Sequence, residues 1–276
     1  MSISRDDRRP GPVRDVPRPT CPAVRNPRGI GRALVLAAAT VFLAGAAAPT
    51  ADEFKPFVFI HTSDPEIGKP DVQETAGRFA LLAQRAKALG AALVVVAGDV
   101  THGSTDEELK AMEDALQRFT MPVKMVPGNH DTPAAFARHF GPDRYVFTLN
   151  NCDFACLNSN LAETGADSAA AKAQWQWLEE TLKESRRRQR THVFVVLHHP
   201  TVAGHEPLAG LLAKYDVKVV LAGHLHATQE SQGKGYTTYT VSGTDRARDD
   251  KGLGYRVFKV ARDRIEQEFV PLEKEP

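Results

Sequence analysis

Cysteine is scarce in this sequence, with only three among 276 residues. Cys21 lies near the amino terminus, whereas Cys152 and Cys156 are four positions apart in a segment with the pattern of a strand. Four residues of strand span roughly 13 Å, and a disulfide needs Cα atoms within about 7 Å. Because no CxxC pair is present either, the sequence argues against an intrachain disulfide and against a thiolate metal site.

A strong excess of charge of one sign is also absent, since the net charge is +1. The balance is nevertheless uneven, because residues 1–32 contain eight arginines and three aspartates, which leaves 27 basic and 31 acidic side chains for the rest. The rest therefore has a net charge of about −4. It lacks the basic surface of a nucleic-acid-binding protein, so a nucleic-acid partner is not expected.

No apolar run reaches the length of about 20 residues that a membrane span requires. The longest run, at residues 33–48, is ALVLAAATVFLAGAAA, and it follows the arginine- and proline-rich residues 1–32. A basic flank, a short apolar run and small residues at its end are typical of a secretory signal peptide, although a buried alanine-rich helix has the same composition. We predict that residues 1–50 are a leader and that the protein is exported, to the periplasm or outside the cell. The protein would be tethered to a membrane only through an uncleaved leader.

Residues 51–276 are predicted to form one α/β domain, because they are enough to bury a sizeable core. Apolar, β-rich runs are found at residues 57–61, 92–97, 122–126, 192–197 and 217–221. Helical apolar spacing is found between or after them, at residues 73–89, 105–119, 133–140, 169–188 and 207–215. This alternation predicts parallel βαβ units. In the helix at 169–188, we expect Trp177, Leu178 and Leu182 to face the core.

The remaining strand patterns predict an antiparallel part. Residues 145–149 and 154–158 flank Asn150-Asn151, a turn pair that is typical of a hairpin. The runs at 236–241, 255–260 and 265–270 are predicted as closing antiparallel strands. Two halves of this kind can stack as sheets with helices outside, and the loops after the parallel strands then gather at one edge, where ligands usually bind.

Polar residues of similar chemistry follow five of the predicted parallel strands. In chain order they are Asp64 and Glu66; Asp99; Asn129, His130 and Asp131; His198 and His199; and His224 and His226. Carboxylate, amide and imidazole groups are ligands that Mn, Fe and Zn accept. Each group alone also has an ordinary interpretation, as a turn or as a satisfied core histidine. Their joint occurrence at one sheet edge predicts a metal site.

A resemblance to the calcineurin-like metallophosphoesterases extends over about residues 57–270. It rests on the ordered set Asp64, Gly98-Asp99, Gly128-Asn129-His130-Asp131, His198 and Gly223-His224-x-His226. The likeness is greatest to one subgroup, calcineurin-like phosphoesterase domain-containing protein 1 and its bacterial relatives. The features shared with that subgroup are Pro56-Phe57, Asp64-Pro65 with Gly68, Leu157-Asn158-Ser159 and Gln174-x-x-Trp177-Leu178. The resemblance implies a four-layer α/β/β/α sandwich of two mixed sheets and a centre of two divalent transition-metal ions, Mn, Fe or Zn.

The resemblance also implies a role for each ligand. Asp99 would bridge both ions, and Asp64 and His226 would complete the first site. The second site would consist of Asn129, His198 and His224. Glu66 departs from the pattern, because the family usually has His or Gln at this position. It would either bind the first ion or point away from it.

One histidine is expected to face the substrate, and a second is a candidate for the pocket. By resemblance, His130 faces the substrate phosphate and Asp131 orients it. His102 follows Asp99 closely and is either a second pocket histidine or an ordinary loop residue.

The function implied is binuclear-metal-dependent hydrolysis of a phosphate monoester or diester, with a metal-bridging hydroxide as the attacking group. The expected substrate is a small phosphate ester or a phosphorylated molecule. A non-catalytic metal-binding module with the same fold is the alternative. A metal-dependent nuclease is disfavoured by the acidic charge of residues 33–276. We expect specificity to depend on the loops at residues 160–166, 201–207 and 244–254.

Overall fold

The computed structural model describes residues 53–163 and 168–273. The first sheet is built from β1 (Phe57–Thr62), β2 (Leu93–Ala97), β3 (Val123–Val126), β10 (Gly254–Val260) and β11 (Ile265–Pro271). The second is built from β4 (Tyr145–Leu149), β5 (Cys152–Cys156), β6 (His192–Val196), β7 (Val219–Leu221), β8 (Glu230–Gln232) and β9 (Thr237–Tyr239). The helices are α1 (Val72–Ala88), α2 (Asp106–Leu116), α3 (Pro133–His139), α4 (Asn160–Glu163), α5 (Ala169–Arg187), α6 (Pro200–Ala203) and α7 (Leu208–Lys214).

Both sheets are mixed, as predicted. In the order β11-β10-β1-β2-β3, the pairs β1–β2 and β2–β3 are parallel and the other two are antiparallel. In the order β4-β5-β6-β7-β9-β8, the three inner pairs are parallel and the two edge pairs are antiparallel. The hairpin of β4 and β5 around Asn150-Asn151 is confirmed.

One strand prediction is confirmed on one side of the strand only. The run near residues 236–241 is predicted to be antiparallel, and β9 pairs antiparallel with β8, but it pairs in parallel with β7. The reason is β8, a short edge strand of exposed residues that returns the chain so that β9 enters the sheet in the direction of β7. With polar, exposed side chains, β8 has no apolar alternation by which the sequence could reveal it.

An aromatic core joins the two sheets. The ring of Phe59 from β1 lies 5.4 Å from that of Phe154 and 5.3 Å from that of Phe194, both in the second sheet. It also stacks on Phe258 of β10 at 4.8 Å. Edge-to-face and offset contacts of this kind favour close packing beyond what buried area alone provides.

Alternating side chains of the inner strands separate this central core from two outer cores. In β2, Leu93, Val95 and Ala97 face the other sheet, whereas Val94 and Val96 face Phe79, Leu82 and Met112 of α1 and α2. In β6, Phe194 and Val196 face the first sheet, and Val195 faces Leu178 and Leu182 of α5. Three apolar layers between four layers of structure confirm the α/β/β/α sandwich.

The core of α5 differs in one residue from the prediction. Trp175 is 7% exposed and buried with Leu178 and Leu182, whereas Trp177 is only partly buried. Cys152 and Cys156 are both buried free thiols, so the prediction that they form no disulfide is confirmed.

The predicted leader, with Cys21, and residues 164–166 of one predicted specificity loop lie outside the described residues. Within the part of the chain that the structure describes, no helix is both long enough and apolar enough to cross a membrane.

Candidate metal centre

The predicted ligands converge from both sheets at the carboxyl ends of their parallel strands. Asp64 follows β1, Asp99 follows β2 and Asn129 follows β3 in the first sheet, whereas His198 follows β6 and His224 follows β7 in the second. Asp64, Asp99 and His198 are each at most 2% exposed. Asn129 is exposed and His224 is partly buried. Parallel strands therefore bring polar groups from distant parts of the sequence into one site, as expected from their position in the fold.

Unusual backbone geometry turns these side chains inward. Among the described residues, ten non-glycine residues have a positive φ, and five of them are predicted ligands. Their φ values lie between 35° and 69°, and they are Asp64, Glu66, Asp99, His224 and His226. Left-handed backbone costs free energy outside glycine and is concentrated at functional sites, so the surrounding structure must enforce it here.

Two glycines allow the loops to approach the carboxylates. A Cβ added at Gly128 would overlap with the side chain and backbone amide of Asp99. A Cβ added at Gly223 would overlap with Ser63 and come within 2.7 Å of the Asp64 carboxylate. The loops can therefore pack against both acidic residues only because no side chain stands at these two positions.

His198 is oriented for binding through Nε2. Its Nδ1 lies 2.8 Å from the Ala97 carbonyl oxygen, which can only accept, so Nδ1 carries a proton. Its Nε2 lies 3.2 Å from Asp99 Oδ2 and 3.2 Å from Asn129 Oδ1. Backbone support of this kind fixes the orientation of ligand imidazoles in metal sites.

The charge state of His198 fits a site that exchanges protons for a cation. Burial disfavours the charged ring, but hydrogen bonding to Asp99 and the charge of Asp64 raise its pKa to about 9. Burial alone would raise the pKa of Asp99, yet contacts with His198 and His130 hold it below its usual value. Asp64, Asp99 and His198 each place a ligand atom within 4.8 Å of the others. A divalent ion bound there would replace the proton on Nε2.

Another group of ligands lies beside this one. Asp64, Glu66 and His226 also place ligand atoms within 4.8 Å of one another. Glu66 Oε1 is 3.1 Å from His226 Nε2, which is 3.7 Å from Asp64 Oδ1. Burial raises the pKa of Asp64 to about 7, although His198 and His226 oppose the shift. Asp64 is thus common to the two groups, whereas the resemblance assigns the bridging position to Asp99.

Glu66 points into the site rather than to solvent. It has no exposed surface, and its Oε2 lies 3.1 Å from His102 Nδ1. Burial alone would raise its pKa, but His226 and Arg246 lower it to about 2. The interpretation that Glu66 points away from the site is therefore wrong.

His130 and His102 form a stacked pair at the edge of the site, with ring centroids 4.8 Å apart. His130 Nδ1 lies 2.9 Å from the His102 carbonyl oxygen, so Nδ1 carries a proton and Nε2 is the nitrogen left for a substrate. Glu66, His102 and His130 form a further group of close ligand atoms. His102 thus lies beside the candidate ligands, as the pocket interpretation expects.

Asp131 has a different partner from the one expected. Its carboxylate accepts hydrogen bonds from the backbone amides of Val100 at 3.0 Å, Thr101 at 3.0 Å and Gly128 at 2.9 Å. It therefore ties the loop after β2 to the loop after β3, and the His102 carbonyl rather than Asp131 orients His130. Burial still raises its pKa to about 6, against the lowering effect of those amides.

His199 belongs to the site, although the resemblance assigns it no role. With His198 and His224 it forms another group of close ligand atoms, and its ring lies 4.5 Å from that of His224. Its Nδ1 is 3.0 Å from Ser159 Oγ, which also accepts from the amides of His198 and His199. Its direct succession to His198 was the only sequence signal.

The donor set fits divalent transition metals. Three carboxylates, several imidazoles and the amide oxygen of Asn129 lie close together, and hard or borderline cations accept these donor types. The His224 amide donates to both Asp64 oxygens, at 3.0 and 3.2 Å, which keeps that carboxylate in place. Residues that would hold two ions are therefore assembled and supported by backbone contacts.

Comparisons with known proteins agree with this arrangement. The family model described as calcineurin-like phosphoesterase matches residues 57–228, a range that includes every predicted ligand. Curated relatives are similar over shorter stretches. A probable glycerophosphodiester phosphodiesterase of Arcobacter nitrofigilis is 28% identical over 156 residues, which is 49% of this chain and 56% of the relative.

A 3',5'-cyclic adenosine monophosphate phosphodiesterase of Haemophilus influenzae is 27% identical over 174 residues, which is 55% of this chain and 61% of the relative. The chain thus spans between about half and two thirds of the length of these relatives. The subgroup likeness inferred from the sequence is not tested by them and stays a prediction.

Solved structures share the fold. A dimetal phosphatase from Danio rerio superposes with a TM-score of 0.64 at 16% identity, covering 79% of this chain and 97% of that one. GAP50, described as the anchor in the inner membrane complex of Plasmodium, superposes with a TM-score of 0.63 at 16% identity, covering 80% and 86%. At these identities the likeness establishes the architecture alone.

Proposed function

The chain belongs to the calcineurin-like phosphoesterase family, and we propose that it hydrolyses small phosphate esters with two divalent transition-metal ions. The observation that supports this most directly is the pair of adjacent ligand groups that share Asp64. Asp99 and His198 complete one group, and Glu66 and His226 complete the other. Two neighbouring groups of oxygen and nitrogen donors are the arrangement that a two-metal phosphoesterase requires.

Cations bound there would supply Lewis acidity, neutralising the phosphoryl oxygens that repel an anionic nucleophile. Proton donation and positioning depend on residues of the chain. His130 keeps its Nδ1 proton on the His102 carbonyl, so its Nε2 faces the substrate and, when protonated, donates to the leaving oxygen. Asp131 holds the two loops that position Asp99 and His130.

Phosphodiesters are the first substrate class to test. The relatives in Arcobacter and Haemophilus are named for glycerophosphodiesters and for a cyclic nucleotide, both of which are small diesters. The acidic residues 33–276 give no reason to expect a long polyanion. We therefore propose small phosphate esters as substrates, with diesters ahead of monoesters.

An activity screen tests the proposal. The full chain, stripped of metal with a chelator, is reconstituted with Mn²⁺, Fe²⁺ or Zn²⁺ and assayed on a monoester, an acyclic diester and a cyclic nucleotide. We expect hydrolysis that appears only after reconstitution and that is faster on the diesters. Metal uptake without hydrolysis of any ester would favour the non-catalytic module, a possibility consistent with the fold being shared by a protein described as an anchor.

Metal preference is expected to depend on Glu66. With Asp64 and Glu66 as its carboxylates, the first site is rich in oxygen donors and should prefer Mn²⁺ to Zn²⁺. Replacing Glu66 with His should shift this preference toward Zn²⁺ while hydrolysis is preserved. Replacing Glu66 with Ala should weaken the binding of a metal ion at the first site alone.

Calorimetric titration of both ions into the metal-free parent and the two variants measures this effect. Glu107 is an exposed glutamate on α2, and Glu107→Ala serves as the control for loss of a carboxylate. Superimposable isotherms for the parent and both Glu66 variants would show that Glu66 is not a ligand.

A further inference from the structure

A cationic side chain from a distant loop reaches the ligand group of Asp64, Glu66 and His226, which corresponds to the predicted first metal site. Arg246 lies 180 positions after Glu66, and its Nη2 is 3.2 Å from Glu66 Oε1. The same nitrogen is 3.2 Å from His226 Nε2. One guanidinium nitrogen is therefore within hydrogen-bond distance of two of the three side chains that form this group, Asp64, Glu66 and His226.

These contacts engage the atoms that a metal ion would need. Nδ1 of His226 is buried without a partner among the described residues, so the polar contacts of its ring pass through Nε2. His226 Nε2 donates to Glu66 Oε1 when it carries a proton and accepts from Arg246 when it does not. Its one lone pair can then accept from the guanidinium or bind a cation, but not both. The guanidinium is a cation and would repel a divalent ion beside it.

The backbone that presents Arg246 is anchored on two sides. The Asp245 carbonyl accepts a hydrogen bond of 2.9 Å from Arg78 of α1. The amide of Arg248 donates to the His226 carbonyl at 2.7 Å, which links the loop to the ligand segment itself. The position of Arg246 beside the site thus follows from the packing of the loop at both ends.

The side chain itself is not enclosed. That of Arg246 is 36% exposed, whereas that of Glu66 has no exposed surface. The guanidinium can therefore move into solvent without disturbing the core, while Glu66 cannot. Arg246 is the only member of this contact set that is free to exchange places with a metal ion.

We propose that Arg246 is an internal competitor for the first metal site, so that the site of Asp64, Glu66 and His226 loads more weakly than the site of Asp99 and His198. The inference rests on the proposed two-metal function. When Arg246 occupies the first site, its charge balances Glu66. When a divalent ion binds, the guanidinium leaves His226. The two sites are therefore expected to fill in sequence rather than together.

Calorimetric titration of Mn²⁺ into the metal-free full chain tests this directly. The parent should bind one ion tightly and a second ion more weakly. Arg246→Gln removes the charged guanidinium that contacts Glu66 and His226. It should raise the Mn²⁺ affinity of the weaker site at least about tenfold and leave that of the tighter site unchanged. A gain in affinity is a result that simple structural damage would not produce.

Arg248→Gln is the matched control, because it removes the same charge from an exposed side chain two residues away. Its isotherm should match that of the parent. Two sites of unchanged affinity in Arg246→Gln would overturn the competition, as would an equal gain in Arg248→Gln, which would indicate a general charge effect. Absence of Mn²⁺ binding in the parent and in both variants would instead overturn the proposed function together with this inference.

Discussion

Replacing Asp99, which the resemblance places between the two ions, with asparagine is expected to lower the affinity for both metal ions by more than about 100-fold and to abolish hydrolysis. Even the loss of a supporting group around a metal costs 10- to 100-fold. Asn is the appropriate replacement because Asp99 has a φ of 48°, a conformation that Asn tolerates well. The His130 amide donates a hydrogen bond of 2.9 Å to Asp99 Oδ1, and the side-chain oxygen of asparagine can still accept it. The fold should survive while the anionic ligand is lost.

Metal content and activity measured on the same preparations decide the outcome. Asp250→Asn, on an exposed loop position, is the control for removal of a carboxylate and should behave as the parent does. Asp64→Asn is the informative comparison, because Asp64 is common to both ligand groups. If Asp64→Asn lost both ions and Asp99→Asn only one, the bridging position would belong to Asp64.

Replacing His130 with alanine is expected to slow hydrolysis by about 10²–10⁴-fold, the usual contribution of a general acid or base, while both ions remain bound. The ions should remain because the contact of residue 130 with Asp99 is made by its backbone amide, which alanine retains. Only the imidazole, held by the His102 carbonyl, is removed.

The measurement is kcat in saturating metal, together with metal content after dialysis. His205→Ala serves as the control, since His205 is exposed and forms no part of the ligand groups. Loss of metal in His130→Ala would mean that the ring is a ligand rather than an acid. Unchanged kcat would mean that a group other than His130 protonates the leaving oxygen.

Much of the fold was predictable because its signals are local. Strands β2 and β6 are short apolar runs buried on both faces, and α1 and α5 repeat apolar residues every three or four positions. The hairpin at Asn150-Asn151 follows from turn chemistry. The short helices α4 and α6 and the exposed strand β8 carry too few apolar residues to show a period, and they were missed.

The ligand set was predictable for a related reason. Polar residues that follow the ends of parallel strands must share one sheet edge, whatever the details of packing. That rule places Asp64, Asp99 and His198 together without knowledge of any distance, and the structure brings them within 4.8 Å. It does not determine which nitrogen of an imidazole is free or which carboxylate oxygen has a partner.

By itself, the sequence determined the order of the elements, the chemistry of the donors and the edge at which they meet. Only the tertiary structure decided which groups the site residues contact. In the structure, Glu66 points inward, and Asp131 accepts from backbone amides instead of contacting His130. Arg246 lies within 3.2 Å of Glu66, although 180 positions separate the two residues. The physical reason is that strand and helix patterns are properties of neighbouring residues. Contacts between loops instead depend on how two sheets and their connections pack in three dimensions.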